Sequence, residues 1–210
     1  MGRSEVNVVG LELAGVPTRN TGFCVLGREG GLQACVLHSD EEILAAIEGA
    51  RSALVLVDAP LSLPKGRQNI NDRSGPHFRE CDRELRRLGI RFFPLTLGPM
   101  RILTERGMRL AAELRTRGYR VEEGYPGGAQ DLLGIPRKQA GPDRLQAALR
   151  KLGLEGDLAR RPLTHDELDA ATLAWTGHQF LEGKARTIGD PTEGIMILPG
   201  PWHRRIRARR

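Results

Sequence analysis

The order of elements in the first 58 residues limits sharply what this chain can fold into. Three apolar runs, residues 5–13, TGFCVLG and LQACVLH, are separated only by turn residues at Pro17–Asn20 and Arg28–Gly31. Strands joined by such short turns pair antiparallel, so the segment predicts a meander. Ser39 with Glu42 three residues on is the pattern of a helix capping box, and ILAAIEGA supplies the apolar face of that helix. SALVLVD follows, a continuous apolar run of the kind found in central strands covered on both faces. A meander leading through a helix into a covered strand predicts an α/β fold: a mixed sheet, antiparallel first and parallel beyond, flanked by helices.

The stretch from Ala59 to His77 breaks the pattern. It is rich in Pro, Gly, Asn and Arg, lacks periodicity and leaves directly from the end of the central strand. Structureless loops longer than about 12–15 residues are uncommon in compact domains and often functional. Helices are expected over 78–88 and 99–117, then a strand in YRVEE, then short helical pieces around 127–133 and 143–152 separated by the basic turn IPRKQAGP. Thr164 with Glu167 forms a second capping box that opens the last long helix, and Gly183 sits near its end. GIMILP reads as an edge strand. With no internal repeat or linker, residues 1–210 are read as a single domain carrying a basic tail at 202–210.

Acidic residues stand at the ends of these elements, where core burial does not account for them. Glu12 closes the first strand, Asp58 the fourth, and Glu122 or Glu123 the strand in YRVEE, while Asp166 and Asp169 open the last helix. A carboxylate at the end of a buried strand is unfavourable unless compensated. Hard divalent cations are the commonest compensation for several converging carboxylates. If the first and fourth strands are parallel neighbours, Glu12 and Asp58 lie side by side. The start of the last helix would then add Asp166. Asp166 also suits a first-turn cap, whereas Asp169 lies too far along the helix for that. Asp58 could instead end its strand in an Asx-turn. Glu122 and Glu123 point to opposite faces, so one of them faces the other acids.

Other residues admit simpler readings. Thr21 and Gly22 could touch a phosphate but also suit a turn, and His165 could move a proton or merely start a helix. Arg79 and Asp82, three apart on a helix, read as a surface ion pair. Arg137 and Lys138 lie in a turn that could meet a phosphate backbone.

Bulk composition excludes several classes. No apolar run approaches the roughly 20 residues of a membrane span, and the N-terminus has no signal-peptide pattern, so a cytosolic protein is expected. The three cysteines, Cys24, Cys35 and Cys81, fit neither a disulfide framework nor a zinc knuckle. No phosphate-binding G-x-x-x-x-G-K-[ST] loop, dinucleotide-binding G-x-G-x-x-G turn or G-x-S-x-G elbow occurs. A net charge of +6 favours a polyanionic partner, though the terminal HRRIRARR carries much of it. With 4% aromatic residues, an extensive base-stacking surface is not expected.

Taken together, GLELAG, VDAPLSLP, RECDRELRRLGI, EGYPGGA, HDELDAATLA and TEGIMILP resemble the domain-of-unknown-function family 429, over residues 8 to 199. Its members are described as predicted nucleases with a ribonuclease H-like fold, and DELDAATLA is also similar to the acidic last helix of RuvC-like resolvases. The resemblance implies a ribonuclease H-like mixed sheet with site acids Glu12, Asp58, Asp166 and Asp169, and it favours Glu123 over Glu122. It implies a nuclease acting by a two-metal mechanism. Two Mg²⁺ or Mn²⁺ ions about 3.5–4 Å apart would be held by Glu12, Asp58, Glu123 and the acids of the last helix, chiefly Asp169. Arg67, Arg79 and Lys138 would bind the nucleic-acid substrate. Nucleases of this fold usually carry Asp on the first strand, where this chain has Glu12. Two rival expectations follow: an ATP-using phosphotransferase or ATPase of the related actin-like core, or a nucleic-acid-binding protein that has lost catalysis.

Overall fold

The computed structural model describes residues 7–200, so the basic tail at 202–210 and the start of the first apolar run lie outside the described residues. Strands β1 (Asn7–Glu12), β2 (Thr21–Leu26) and β3 (Leu32–Leu37) form the expected meander, followed by helix α1 (Asp40–Ala50) and β4 (Ser52–Val57). Then come α2 (Glu80–Arg87), α3 (Gly98–Thr116), β5 (Val121–Gly124), α4 (Pro126–Leu133), α5 (Pro142–Lys151) and a single turn, α6 (Asp157–Arg160). The last helix α7 (His165–Leu181) precedes the hairpin β6 (Ala185–Asp190) and β7 (Gly194–Pro199).

These strands make one sheet in the order β3-β2-β1-β4-β5-β7-β6. β1–β2 and β2–β3 pair antiparallel; β1–β4, β4–β5 and β5–β7 pair parallel. This is the mixed sheet that the order of elements predicts, in the ribonuclease H-like form that the family resemblance implies. One placement differs from the sequence reading. β7, expected at the edge, lies inside the sheet, and β6 pairs antiparallel with it to form the edge. The polar run of β6, ARTIGD, has one buried residue among its six, so it carries too weak an apolar signal to read as a strand.

Apolar residues cover both faces of the sheet. On one side Val9, Leu11, Val55 and Val57 pack with α1 and α3 through Ile43, Ile47, Leu110 and Leu114. On the other, α7 lies across β1 and β2 on its small residues Ala170, Ala171 and Ala174, all fully buried. Two strand glycines permit this approach. A Cβ on Gly10 would come within 2.0 Å of the Ala170 carbonyl oxygen, and one on Gly22 within 2.0 Å of that of Asp166. The closeness of α7 to the sheet sets its first turn at the C-terminal end of β1.

Both expected capping boxes form. The Ser39 hydroxyl accepts from the Glu42 N–H, and that of Thr164 from the Glu167 N–H, with the glutamates bonding back. The long loop after β4 carries no helix or strand between Val57 and Glu80, yet it is pinned. The buried Arg67 guanidinium donates to the carbonyls of Asn69, Asp72, Gly75 and Pro76. Glu193 accepts from the Lys65 and Glu80 N–H groups at 2.6 Å each and ties the loop, at Lys65 and where it enters α2, to the β6–β7 turn. Among the described residues no helix is long and apolar enough to cross a membrane, and all three cysteines are free.

Candidate active site

The parallel pairing of β1 with β4 brings their last residues to one sheet edge. The Asp58 N–H donates to the Leu11 carbonyl, which places Asp58 beside Glu12. α7 reaches the same edge from above and adds Asp169, which is 2% exposed, with the half-buried Asp166 nearer solvent. The capping box uses Thr164 and Glu167, and Glu167 also accepts from Arg161 at 2.7 Å. Asp166 is therefore released from capping.

The electrostatics of Glu12, Asp58 and Asp169 are those of crowded, buried acids. Burial raises Glu12 well above the ordinary carboxylate range, and repulsion from Asp58 and Asp169 adds to it. Burial pushes Asp58 up to about 7, with repulsion from Asp169 and Glu123 working in the same direction and a hydrogen bond to Glu12 against it. Burial also raises Asp166, opposed by Lys138. Glu12 Oε2 is buried with no hydrogen-bond donor. A proton shared between Glu12 and Asp58, or a cation, would satisfy this group.

Lys138 supplies part of the missing charge. Its Nζ lies 3.0 Å from Asp169 Oδ2 and 3.4 Å from Glu12 Oε1. Burial disfavours its charge, but Glu12 and Asp169 outweigh that and raise its pKa above the usual lysine value. Gln130, on α4, donates to Asp169 Oδ1 at 2.7 Å and fixes that carboxylate's rotamer. Nothing in the run PGGAQDLL marks Gln130, because its partner is 39 residues away and meets it only when α4 packs on α7.

Glu123 sits one strand over and is engaged differently. Its Oε2 and Oε1 accept from the Arg79 guanidinium at 2.5 and 2.7 Å, and Oε2 also accepts from the Leu61 N–H at 3.0 Å. Arg79 holds Asp82 at 3.0 Å with its remaining donors. The Arg79–Asp82 pair, expected at the surface, is thus buried, with side chains 2% and 5% exposed. Two of the three cations expected to bind substrate are placed otherwise. Arg67 is 6% exposed with its donors committed to loop carbonyls, and Arg79 is committed to two carboxylates. Only Lys138 of the three reaches the acid site. Thr21 is fully buried, and its hydroxyl accepts from the Ala14 N–H, so it serves the turn. His165 is exposed at the start of α7.

Among the described residues, no three His, Cys, Asp or Glu side chains form a ready cation cage. The donor chemistry still suits a hard divalent ion: three converging carboxylates, one buried oxygen without a donor, and a lysine ammonium where positive charge is required.

The sequence profile of the family described as "Protein of unknown function (DUF429)" matches residues 15–194, which span β2 through the start of β7. The chain belongs to the DUF429 family. No curated protein matches this chain. Among solved structures, this DUF429 chain is similar to Thermus thermophilus RuvC at 16% identity, covering 85% of this chain and 97% of that one with a TM-score of 0.44. The fold assignment for this DUF429 protein rests on the strand order itself.

Proposed function

We propose that this DUF429 chain is a cytoplasmic, metal-dependent nuclease that hydrolyses phosphodiester bonds at the acid site. The observation that carries the reading is the Glu12 carboxylate, buried beside Asp58 and Asp169 with one oxygen lacking any donor. Mg²⁺ or Mn²⁺ held by these acids would supply the Lewis-acid charge that phosphodiester hydrolysis requires. The finer form of the reading is a two-metal site in which Asp166 joins the buried three.

The chain's own residues divide the remaining tasks. Asp58 and Glu12 present carboxylate oxygens side by side from adjacent strands. Asp169 adds a third, oriented by Gln130. Lys138, 43% exposed, carries an ammonium that can turn from the carboxylates to a phosphate oxygen once a cation satisfies the acids. Glu123, already neutralised by Arg79, is assigned positioning: with Arg79 it holds Leu61 and the floor beside Asp58.

A cleavage assay with Mg²⁺ or Mn²⁺ on single-stranded, duplex and branched DNA and RNA tests the reading, with Asp58→Asn as control. Cleavage is expected in the wild type and abolished in Asp58→Asn. Cleavage that survives Asp58→Asn would overturn the mechanism, and ATP turnover without strand cleavage would favour a phosphotransferase. No heat of Mn²⁺ binding in a calorimetric titration would favour a chain that has lost catalysis.

A further inference from the structure

Four of the nine aromatic residues of this chain, Phe78, Phe92, Phe93 and Tyr125, gather around one groove next to the acid site. Phe92 and Phe93 come from the segment between α2 and α3, and Tyr125 from the end of β5. The inner part of the groove, a cavity of about 150 Å³, is bounded by Phe92, Phe93, Leu95 and Tyr125 and by Asp58 with the buried Arg79, Asp82 and Glu123. The outer part, about 660 Å³, shares Phe92, Phe93 and Tyr125 with it and is rimmed by Arg86, Arg91 and Arg137. Phe92, Phe93 and Tyr125 wall both, so the two cavities adjoin, one with arginines at its rim and the other reaching Asp58, and together they are called the channel.

The side chains along this channel have the chemistry of a nucleotide strand's partner. Phe93 is 70% exposed, the most exposed large apolar side chain among the described residues, and its face is open to stacking. Phe78 and Phe92 meet edge to face with ring centroids 6.1 Å apart, which stiffens the wall behind it. Arg86 lies over the Phe78 ring at 5.0 Å, and Arg137 over the Tyr125 ring at 5.8 Å while also bound to Asp131. Arg86 and Arg91 are exposed. Alternating aromatic faces and cations suit a chain of bases on a phosphate backbone, and an apolar peptide would leave the arginines unmatched.

We propose that this channel binds single-stranded nucleic acid, with one unpaired base in the inner cavity and the backbone along Arg86, Arg91 and Arg137. A cavity of about 150 Å³ has the volume for one aromatic ring, and the charged groups in its lining suit the polar edge of a base better than a plain hydrocarbon. Paired and stacked bases cannot present a free face to Phe93, so the channel selects unpaired strands over duplex. The hydrolytic reading of the acid site supplies what then happens to the strand, and the inference rests on it to that extent.

The test is fluorescence anisotropy of the full chain in EDTA, with a fluorescein-labelled twelve-nucleotide single strand and the blunt duplex of the same sequence. The single strand is expected to bind at least about tenfold tighter than the duplex. Phe93→Ala is expected to weaken it about five- to hundredfold, the effect of losing one base–aromatic stack. An unchanged melting temperature would show that this exposed position is not needed for folding. The double charge reversal Arg86→Glu with Arg91→Glu is expected to weaken binding and flatten its salt dependence. Duplex bound as tightly as single strand, or Phe93→Ala within twofold of wild type, would overturn the proposal. The two readings fail separately. Strand binding that depends on Phe93, without cleavage under any metal, sinks the hydrolytic reading and leaves the channel standing. Cleavage that depends on Asp58 but is indifferent to Phe93 does the reverse.

Discussion

At Asp58 position, burial and charge meet, and the consequence is a stability that falls as pH rises. Its folded pKa is about 7, whereas an unfolded aspartate titrates near 4. Between those values the folded protein keeps a proton that the unfolded chain releases, so the folded state loses stability from about pH 4 to pH 7. Asp58→Asn removes that penalty. Calorimetric melting should find the variant a few degrees more stable than wild type at pH 8 and equal to it at pH 4. Lower stability at pH 8 would mean that the carboxylate is held charged in the fold. Lys138 makes the complementary case. Lys138→Met leaves Glu12 and Asp169 without their ammonium, so metal-free stability should drop at pH 8. Mn²⁺ should then bind at least as tightly as to wild type by calorimetry, because a competing cation is gone. Weaker Mn²⁺ binding would show that Lys138 supports the cation instead of standing in for it.

At the level of elements, α7 depends on two glycines in neighbouring strands. Gly10→Ala or Gly22→Ala places a methyl 2.0 Å from a helix carbonyl oxygen. Backbone on both sides leaves no flexible side chain to yield, so each should lower the urea-unfolding free energy by about 1–3 kcal/mol or more. Gly22→Ala should also impair Mn²⁺ binding, since the clash is with Asp166 itself. The join between the loop after β4 and α2 is of another kind. Arg79 sits 2% exposed between Glu123 and Asp82. Arg79→Met would leave two buried carboxylates uncompensated, for a loss of about 3–5 kcal/mol by urea unfolding. A loss under 1 kcal/mol would show that water reaches the pair.

Over the whole molecule, the mixed sheet converts distances in sequence into one site. Residues 12, 58 and 169 meet because β1 and β4 are parallel neighbours and α7 crosses above them. The order of elements through α7, both capping boxes and the placing of Glu12, Asp58 and Asp169 at element ends were legible in the sequence. Each is written in local chemistry: apolar runs, turn residues, S-x-x-E spacing, and a charge where burial disfavours one. The partner of Glu123 was not legible, since Arg79 lies 44 residues away. The edge strand was misassigned because β6 is polar and buries only one of its residues. A whole-molecule prediction also follows from the buried acids. Mn²⁺ should raise the melting temperature more at pH 8 than at pH 5, because cation binding must displace protons from Glu12 and Asp58. Equal shifts at both values would count against those two acids as the site.

Which acids exist, and at which ends of which elements, was determined by the sequence alone, because periodicity and capping are local properties of the chain. Which acids remain uncompensated was decided by the tertiary structure. Packing pairs Glu123 with a buried arginine, gives Asp169 a glutamine and a lysine, and leaves one oxygen of Glu12 with no donor. The aromatic channel was decided the same way. A composition of 4% aromatic residues argues against a broad stacking surface. The fold sets three of those few rings in the cavity that holds Asp58 and a fourth, Phe78, in the adjoining one, and only the packing of distant segments could bring them together.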